Sequence, residues 1–215
     1  MYKLPEFTEK DERLVIEFIK AHPFVTLIGN DGNKSVATQV PVLIYEDENA
    51  IRVRGHFMRK TDHHLAFEKN PEVLLLFTGP QCYVSASWYN ERGIGSTWNY
   101  MTVHARGTMK MLDETETIQI LTDLTDLFEG ERENPEIVKN MSTEYVQSHV
   151  KAIAGFEIEL RSIHPIFKLS QNRNDESYKN IVQHLQQEQH WGAHEVADEM
   201  IRRRPSIFDS PGNKK

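Results

Sequence analysis

The chain has 215 residues, a formal net charge of -7, 39% hydrophobic and 27% charged side chains, and a single cysteine. That length can bury the core of one large domain with an appendage, and the acidic balance speaks against nonspecific binding to a phosphate backbone. One cysteine excludes an internal disulfide, and no stretch approaches the roughly eighteen uncharged apolar residues of a membrane span. The charged N-terminal stretch MYKLPEFTEKDERL lacks the apolar core of a signal peptide, so a cytoplasmic location is expected.

Thr8, followed by Glu9, Lys10 and Asp11, reads as a helix start, with Leu14, Val15, Phe18 and Ile19 as an apolar stripe that stops at His22-Pro23. The period then changes to two. FVTLI (24–28), a GNDGN turn, SVATQVPVLIY (35–45), an EDEN turn and AIRVRG (50–55) form an antiparallel meander, with Pro41 marking an edge or a bulge. A short helix from Thr61 to Lys69 precedes EVLLLF, a GPQ turn and CYVSASWY, where Cys82 reads as a buried, inert thiol. After the loop NERGIGS comes a long alternating strand from Thr97 to Leu112. Asp113 and Glu116 then form a capping box for a helix with Ile118, Leu121, Leu124 and Phe128 at helical spacing, ending at Gly130. A helix from Ser142 to Ile153 feeds the strand GFEIELRSI, and two helices, about 175–187 and 193–203, flank HWG in the tail. Six or seven hairpin-joined strands with interspersed helices describe an α+β domain built on a closed or partly closed antiparallel barrel.

Alternation in the long strand sends Trp98, Tyr100, Thr102, His104, Arg106, Thr108 and Lys110 to one face and Met101, Val103, Ala105, Gly107, Met109 and Met111 to the core. The first face suits a planar polar ligand or a subunit interface; a solvated face is the alternative. In AIRVRGHF the same alternation separates Ile51, Val53 and Gly55 from Arg52, Arg54 and His56, after which Arg59 and Lys60 precede the short helix. Cations beside a helix N-terminus form an anion site that suits a phosphate, although a solvated cationic loop would look the same and there is no P-loop glycine pattern. His56, His63 and His64 with Asp62 allow a metal reading, but adjacent ligands are awkward for a tetrahedral site and no HExxH or cysteine cluster is present. Hydrolysis is not indicated either, since no G-x-S-x-G occurs.

The order of HPFVTLI, RGHFMRKTDHH, NPEVLLLF, GPQCYVSASWY, TWNYMTVHARG, AGFEIELRSI and KLSQNR resembles the PaiB family of FMN-binding negative transcriptional regulators over about residues 1–184. The resemblance implies the dimeric, antiparallel split β-barrel shared with pyridoxamine 5′-phosphate oxidases and flavin reductases, with flanking helices. It implies a barrel domain over 1–170 and a C-terminal helical extension over 171–215. FMN is the implied cofactor. Arg59 and Lys60, followed by a helix and NPEVLLLF, correspond to the phosphate-holding elements of the oxidase relatives. Arg54, His56 and His104 would meet the ribityl chain or the flavin edge, Trp98, Asn99 and Tyr100 the ring or the dimer partner, and Lys168, Ser170 and Gln171 would complete the site. Ser96 stands where the family usually has a proline before TWNY.

From Gln171 onward, seven basic residues (Arg173, Lys179, Arg202, Arg203, Arg204, Lys214, Lys215) balance seven acidic ones (Asp175, Glu176, Glu188, Glu195, Asp198, Glu199, Asp209). The two tail helices have helix-turn-helix lengths, but a neutral tail does not announce DNA binding, which rests on the resemblance alone. The expected function is a cytoplasmic, dimeric, FMN-binding negative transcriptional regulator. The alternative is a flavin-dependent oxidoreductase, and a third reading places haem on His56, His63, His64 or His104. No side chain is singled out as catalytic, because in a flavoprotein the cofactor carries the reactive atom.

Overall fold

The computed structural model describes residues 4–47 and 50–208, so Glu48 and Asn49 of the EDEN turn, and Asp209, Lys214 and Lys215 of the tail, lie outside the described residues. Six strands, β1 (Phe24–Asn30), β2 (Ser35–Glu46), β3 (Ile51–Met58), β4 (Glu72–Val84), β5 (Thr97–Met111) and β6 (Ile153–Lys168), close a barrel in the order β1-β2-β3-β6-β5-β4. Among the described residues six α-helices accompany them: α1 (Glu12–Ala21), α2 (Asp62–Lys69), α3 (Glu114–Glu129), α4 (Thr143–Val150), α5 (Asp175–Leu185) and α6 (Ala193–Arg203). This is the expected α+β fold with an antiparallel barrel. Its described residues fall into two compact units, one of residues 16–47, 50–77 and 103–164, the other of residues 4–15, 78–102 and 165–208.

In the first unit the meander register is set by its apolar alternation, since a one-residue slip would turn every core side chain outward. Val25, Leu27, Val53, Leu75, Val103 and Ile158 are all fully buried. Pro41 sits where β2 changes partners: it closes the β1 ladder opposite Phe24, and Val42 opens the β3 ladder opposite Gly55. A residue without an N–H costs least at such a point. Gly55 is needed there, because a Cβ would come within 2.7 Å of the Phe156 ring and 2.9 Å of the Pro41 carbonyl. The Asp113–Glu116 capping box forms as expected, but α3 buries Thr117, Ile120 and Leu124 and leaves Phe128 exposed. Its inward stripe is thus rotated from the expected one, because Leu112 and Leu43 meet Ile120 and Leu124.

Several boundaries differ from the sequence reading. Helix α1 starts at Glu12, not Thr8, because the Asp11 carboxylate accepts from the amides of Arg13 (3.0 Å) and Leu14 (3.4 Å) as the cap. The GPQ segment is not a turn: β4 runs unbroken through Gly79-Pro80. Its ladder with β1 ends at Leu76, opposite Thr26, so Pro80 withholds no bond from that neighbour. Helix α4 stops at Val150, and β6 extends past GFEIELRSI to Lys168.

The second unit packs Phe167, Leu169, Tyr178, Ile181, Leu185 and Met200 as fully buried side chains. Asn174 caps α5 by accepting from the Ser177 amide (2.9 Å), and the Tyr178 hydroxyl donates to the Met200 carbonyl of α6 (3.0 Å). Gly192, at φ +85°, makes the turn into α6, where a Cβ would lie 2.6 Å from the Gln81 carbonyl.

Candidate functional site

Of the eleven expected cofactor residues, Arg54, His56, Arg59, Lys60 and His104 belong to the first unit; Trp98, Asn99, Tyr100, Lys168, Ser170 and Gln171 belong to the second. The first set gathers around the end of β3 and the start of α2. Arg54 is committed within the barrel, with Nε 2.6 Å and Nη2 2.5 Å from Glu157 Oε2 and its guanidinium over the Tyr45 ring. The β3–β6 register places Arg54 opposite Glu157 and makes this pair.

Arg59 and Lys60 differ. Among the described residues, neither the Arg59 guanidinium nor the Lys60 ammonium has an ion-pair or hydrogen-bond partner, while their neighbours Lys34, Arg52 and Arg54 are each paired with a carboxylate. The loop that carries them is built with care. The Arg59 amide donates to the Ala152 carbonyl (2.9 Å), and Lys60 takes the left-handed conformation at φ +62°, uncommon for a residue with a side chain. The Lys60 amide donates to His64 Nδ1 (3.2 Å), and Thr61 caps α2 by accepting from the His64 amide (3.3 Å). Two unpaired cations at the head of a capped helix suit a doubly charged phosphomonoester, because side-chain charge and helix dipole act in the same direction.

His56 faces Gly155 across the β3–β6 ladder, and its Nδ1 is buried without a hydrogen-bond partner among the described residues. Burial lowers its pKa, so the ring is neutral near pH 7. Burial also lowers that of His104, and Arg106 and His164 add to the effect. Phe57 sits between the rings of His63 (5.6 Å), His64 (5.8 Å) and Phe156 (5.2 Å). Among the described residues no group of three or more His, Cys, Asp or Glu is arranged to hold a metal ion.

In the second unit the motif stretches meet one another. Lys168 Nζ donates to Thr97 Oγ1 and to the Trp98 carbonyl (2.8 Å), and burial lowers its pKa, with Arg173 adding to this. Ser170, left-handed at φ +60°, donates to the fully buried Asn99 carboxamide (2.9 Å), whose Nδ2 reaches Met200 Sδ (3.5 Å). Gln171 folds back on its own loop, accepting from the Leu169 amide (2.7 Å) and donating to the Phe167 carbonyl (2.5 Å). Arg173 stacks on Tyr89, and Asn90 exchanges hydrogen bonds with Ser177. KLSQNR, TWNY and SASWYN are therefore joined by polar contacts that no local spacing announces, since the partners lie 70 or more residues apart. Trp98 stays 55% exposed, edge-on to an equally open Tyr83, a partner that alternation within one strand cannot reveal.

Residues 1–162 match the family model described as "Putative FMN-binding domain". The Bacillus subtilis (strain 168) "Protease synthase and sporulation protein PAI 2" is 32% identical over 200 residues, which cover 93% of this chain and 96% of that protein. Among solved structures, the flavocytochrome Anf3 from Azotobacter vinelandii aligns with a TM-score of 0.57 at 16% identity, over 78% of this chain and 72% of that one. The FAD and heme binding protein from Mycobacterium smegmatis gives 0.55 at 13%, over 75% and 73%. At those identities the two likenesses speak to the fold alone. The family model supplies the cofactor, FMN, and the free Arg59-Lys60 pair fits its phosphate. By its matched domain and by a relative aligned along nearly its whole length, the chain belongs to the PaiB family of FMN-binding split-barrel proteins.

Proposed function

We propose that this protein is a cytoplasmic homodimer in which bound FMN governs negative regulation of transcription. The observation that carries the flavin part is the Arg59-Lys60 pair, left without ion-pair or hydrogen-bond partners among the described residues where Lys34, Arg52 and Arg54 are each paired with a carboxylate. Arg59 and Lys60 hold the phosphate, with the head of α2 behind them. His56 and His104, kept neutral by burial, offer hydrogen bonds to the flavin's polar edge, while Arg54 keeps that strand in register through Glu157. Within the second unit by itself, Lys168 bonds the Trp98 carbonyl and Ser170 the Asn99 side chain, so KLSQNR holds the strand that carries the aromatic surface of Trp98 and Tyr100. FMN itself supplies an isoalloxazine able to take up or release electrons.

The exposed Tyr83–Trp98 pair supports a subunit interface, since open aromatic pairs are enriched at such surfaces. Operator contact is assigned away from α5 and α6. Arg203 and Arg204 are spent on Glu9, Glu199 and Asp175, and on the exposed faces of the two helices Lys179 and Arg202 are outnumbered by Asp175, Glu176, Glu195 and Asp198. The regulatory role itself comes with the family and with a relative whose name links it to protease synthesis and sporulation.

A flavin-dependent oxidoreductase is the second reading, supported by His56 and His104, which burial keeps in the proton-accepting form. Titration with FMN under flavin fluorescence, followed by selection from a random duplex pool with and without FMN, separates the readings. Saturable FMN binding with FMN-dependent DNA retention supports the regulator. FMN binding without DNA retention, together with steady oxidation of reduced nicotinamide, supports the enzyme. A protein indifferent to FMN would overturn both.

A further inference from the structure

Lys60 is one of only two non-glycine residues among the described residues with a positive φ, and its ammonium, like the Arg59 guanidinium, has no ion-pair or hydrogen-bond partner among them. The sequence around it, Met58-Arg-Lys-Thr61, contains no glycine or asparagine that would favour the left-handed turn. The loop is tied at both ends, by Thr61 Oγ1 donating to the Met58 carbonyl (3.0 Å) and by the Arg59 amide donating to the Ala152 carbonyl (2.9 Å). The hydrogen bond at the left-handed residue itself comes from α2: the Lys60 amide donates to Nδ1 of His64, whose own amide donates to the Thr61 cap. The imidazole is buried at 5% exposure, lies edge-on to Phe57 at 5.8 Å, and has its other nitrogen 3.5 Å from Glu68 Oε1. With Nδ1 as the acceptor the ring carries its proton on Nε2, which is buried without a hydrogen-bond partner among the described residues.

We infer that His64 is the positioning residue of the phosphate loop: its Nδ1 clamps the Lys60 amide in the left-handed turn and so aims the Arg59 and Lys60 side chains at a common anion. The inference rests on the reading that these two cations hold the FMN phosphate. It assigns His64 no contact with the cofactor and no part in redox chemistry. The ring acts through a backbone amide, so its effect appears in preference for a phosphorylated flavin over an unphosphorylated one.

The test compares FMN and riboflavin dissociation constants, measured by fluorescence quenching, for the wild type and for His64→Asn, His64→Gln and His64→Leu, with melting temperatures alongside. Asn offers its carboxamide oxygen near the position of Nδ1, whereas Gln reaches towards that of Nε2. The expected result is that His64→Asn keeps the FMN-over-riboflavin preference within about twofold, while His64→Gln and His64→Leu lower it about three- to tenfold, the worth of one hydrogen bond. Riboflavin affinity should stay level throughout. If His64→Leu fails to fold, the Asn and Gln variants decide the matter. An equal preference in those two, whether kept or lost, overturns the inference, and so does its retention by Gln alone. Arg59→Ala with Lys60→Ala tests the underlying reading separately: an unchanged preference there means that the phosphate lies elsewhere, and the clamp falls with it.

Discussion

Replacing Arg203 by Met tests whether the tail cations hold the protein together or face a partner. Arg203 is 20% exposed, with Nη1 2.6 Å from Glu9 and Nε 2.6 Å from Glu199, each carboxylate side chain only 10% exposed. Its guanidinium also covers the Phe167 ring at 5.0 Å, a contact that a Met stem largely retains, so the substitution chiefly removes charge. Stripping the cation from a buried pair costs about 3–5 kcal/mol, because the stranded carboxylate has already lost its water. Here the lower end applies, since Glu9 keeps the amides of Lys10 (2.8 Å) and Asp11 (2.9 Å), and Glu199 keeps Arg202. About 3 kcal/mol in a chain of this length lowers the melting temperature by about 6–12 °C, measurable by circular dichroism at pH 7. Burial alone would raise the Glu9 pKa, but the Asp11 amide, the Arg203 guanidinium and the Lys10 amide together hold it below the ordinary value. A depressed carboxylate adds stability above its unfolded pKa and loses it as pH falls through the folded one. The gap between wild type and Arg203→Met should therefore narrow in acid, below about pH 4.5. A variant that melts with the wild type at pH 7, or a gap that widens in acid, would refute the assignment.

Arg59→Ala with Lys60→Ala should weaken FMN binding by about 2 kcal/mol, roughly thirtyfold, and leave riboflavin unaffected; because Lys60 is exposed, the loss should shrink as salt is raised. Gly107→Ala would place a Cβ 2.3 Å from the Glu159 carbonyl and 2.6 Å from Ile158 Cγ2, which should cost about 3 kcal/mol in urea unfolding; a cost below about 1 kcal/mol would mean that β5 and β6 do not approach so closely there. The Cys82 thiol, pushed up to about 12 by burial with the Glu188 carboxylate adding to it, should ignore a disulfide reagent at pH 8 until the protein unfolds and then release one equivalent. Prompt reaction of the native protein would show the thiol to be open.

The strands and helices were legible because their signals are local. Alternation in β3 and β5 sorted inward from outward side chains, and Asp113 with Glu116 announced the start of α3. The misreadings arose where a distant partner overruled a local cue. Gly79-Pro80 looks like a turn until the β1 ladder is seen to end at Leu76. Ile118, Leu121 and Phe128 fit a helical stripe with Leu124, yet Leu112 and Leu43 select Ile120 beside Leu124.

The candidate site was legible only as an excess of cations, because sequence gives the position of a charge but not whether it is already spent. Arg54, Arg59 and Lys60 stand within seven residues of one another in RGHFMRK, and nothing in that stretch says which of them lacks a carboxylate. Register decides it. The β3–β6 ladder sets Glu157 opposite Arg54, whereas β3 ends at Met58, so Arg59 and Lys60 fall past the last cross-strand position. The same reasoning applied to Arg202, Arg203 and Arg204 gives the opposite answer, since Glu199 lies one helical turn away and Glu9 and Asp175 arrive from elsewhere in the unit. Two cationic runs of similar appearance thus come to differ in kind: one is neutralised from within and holds its unit together, and the other has no carboxylate partner among the described residues.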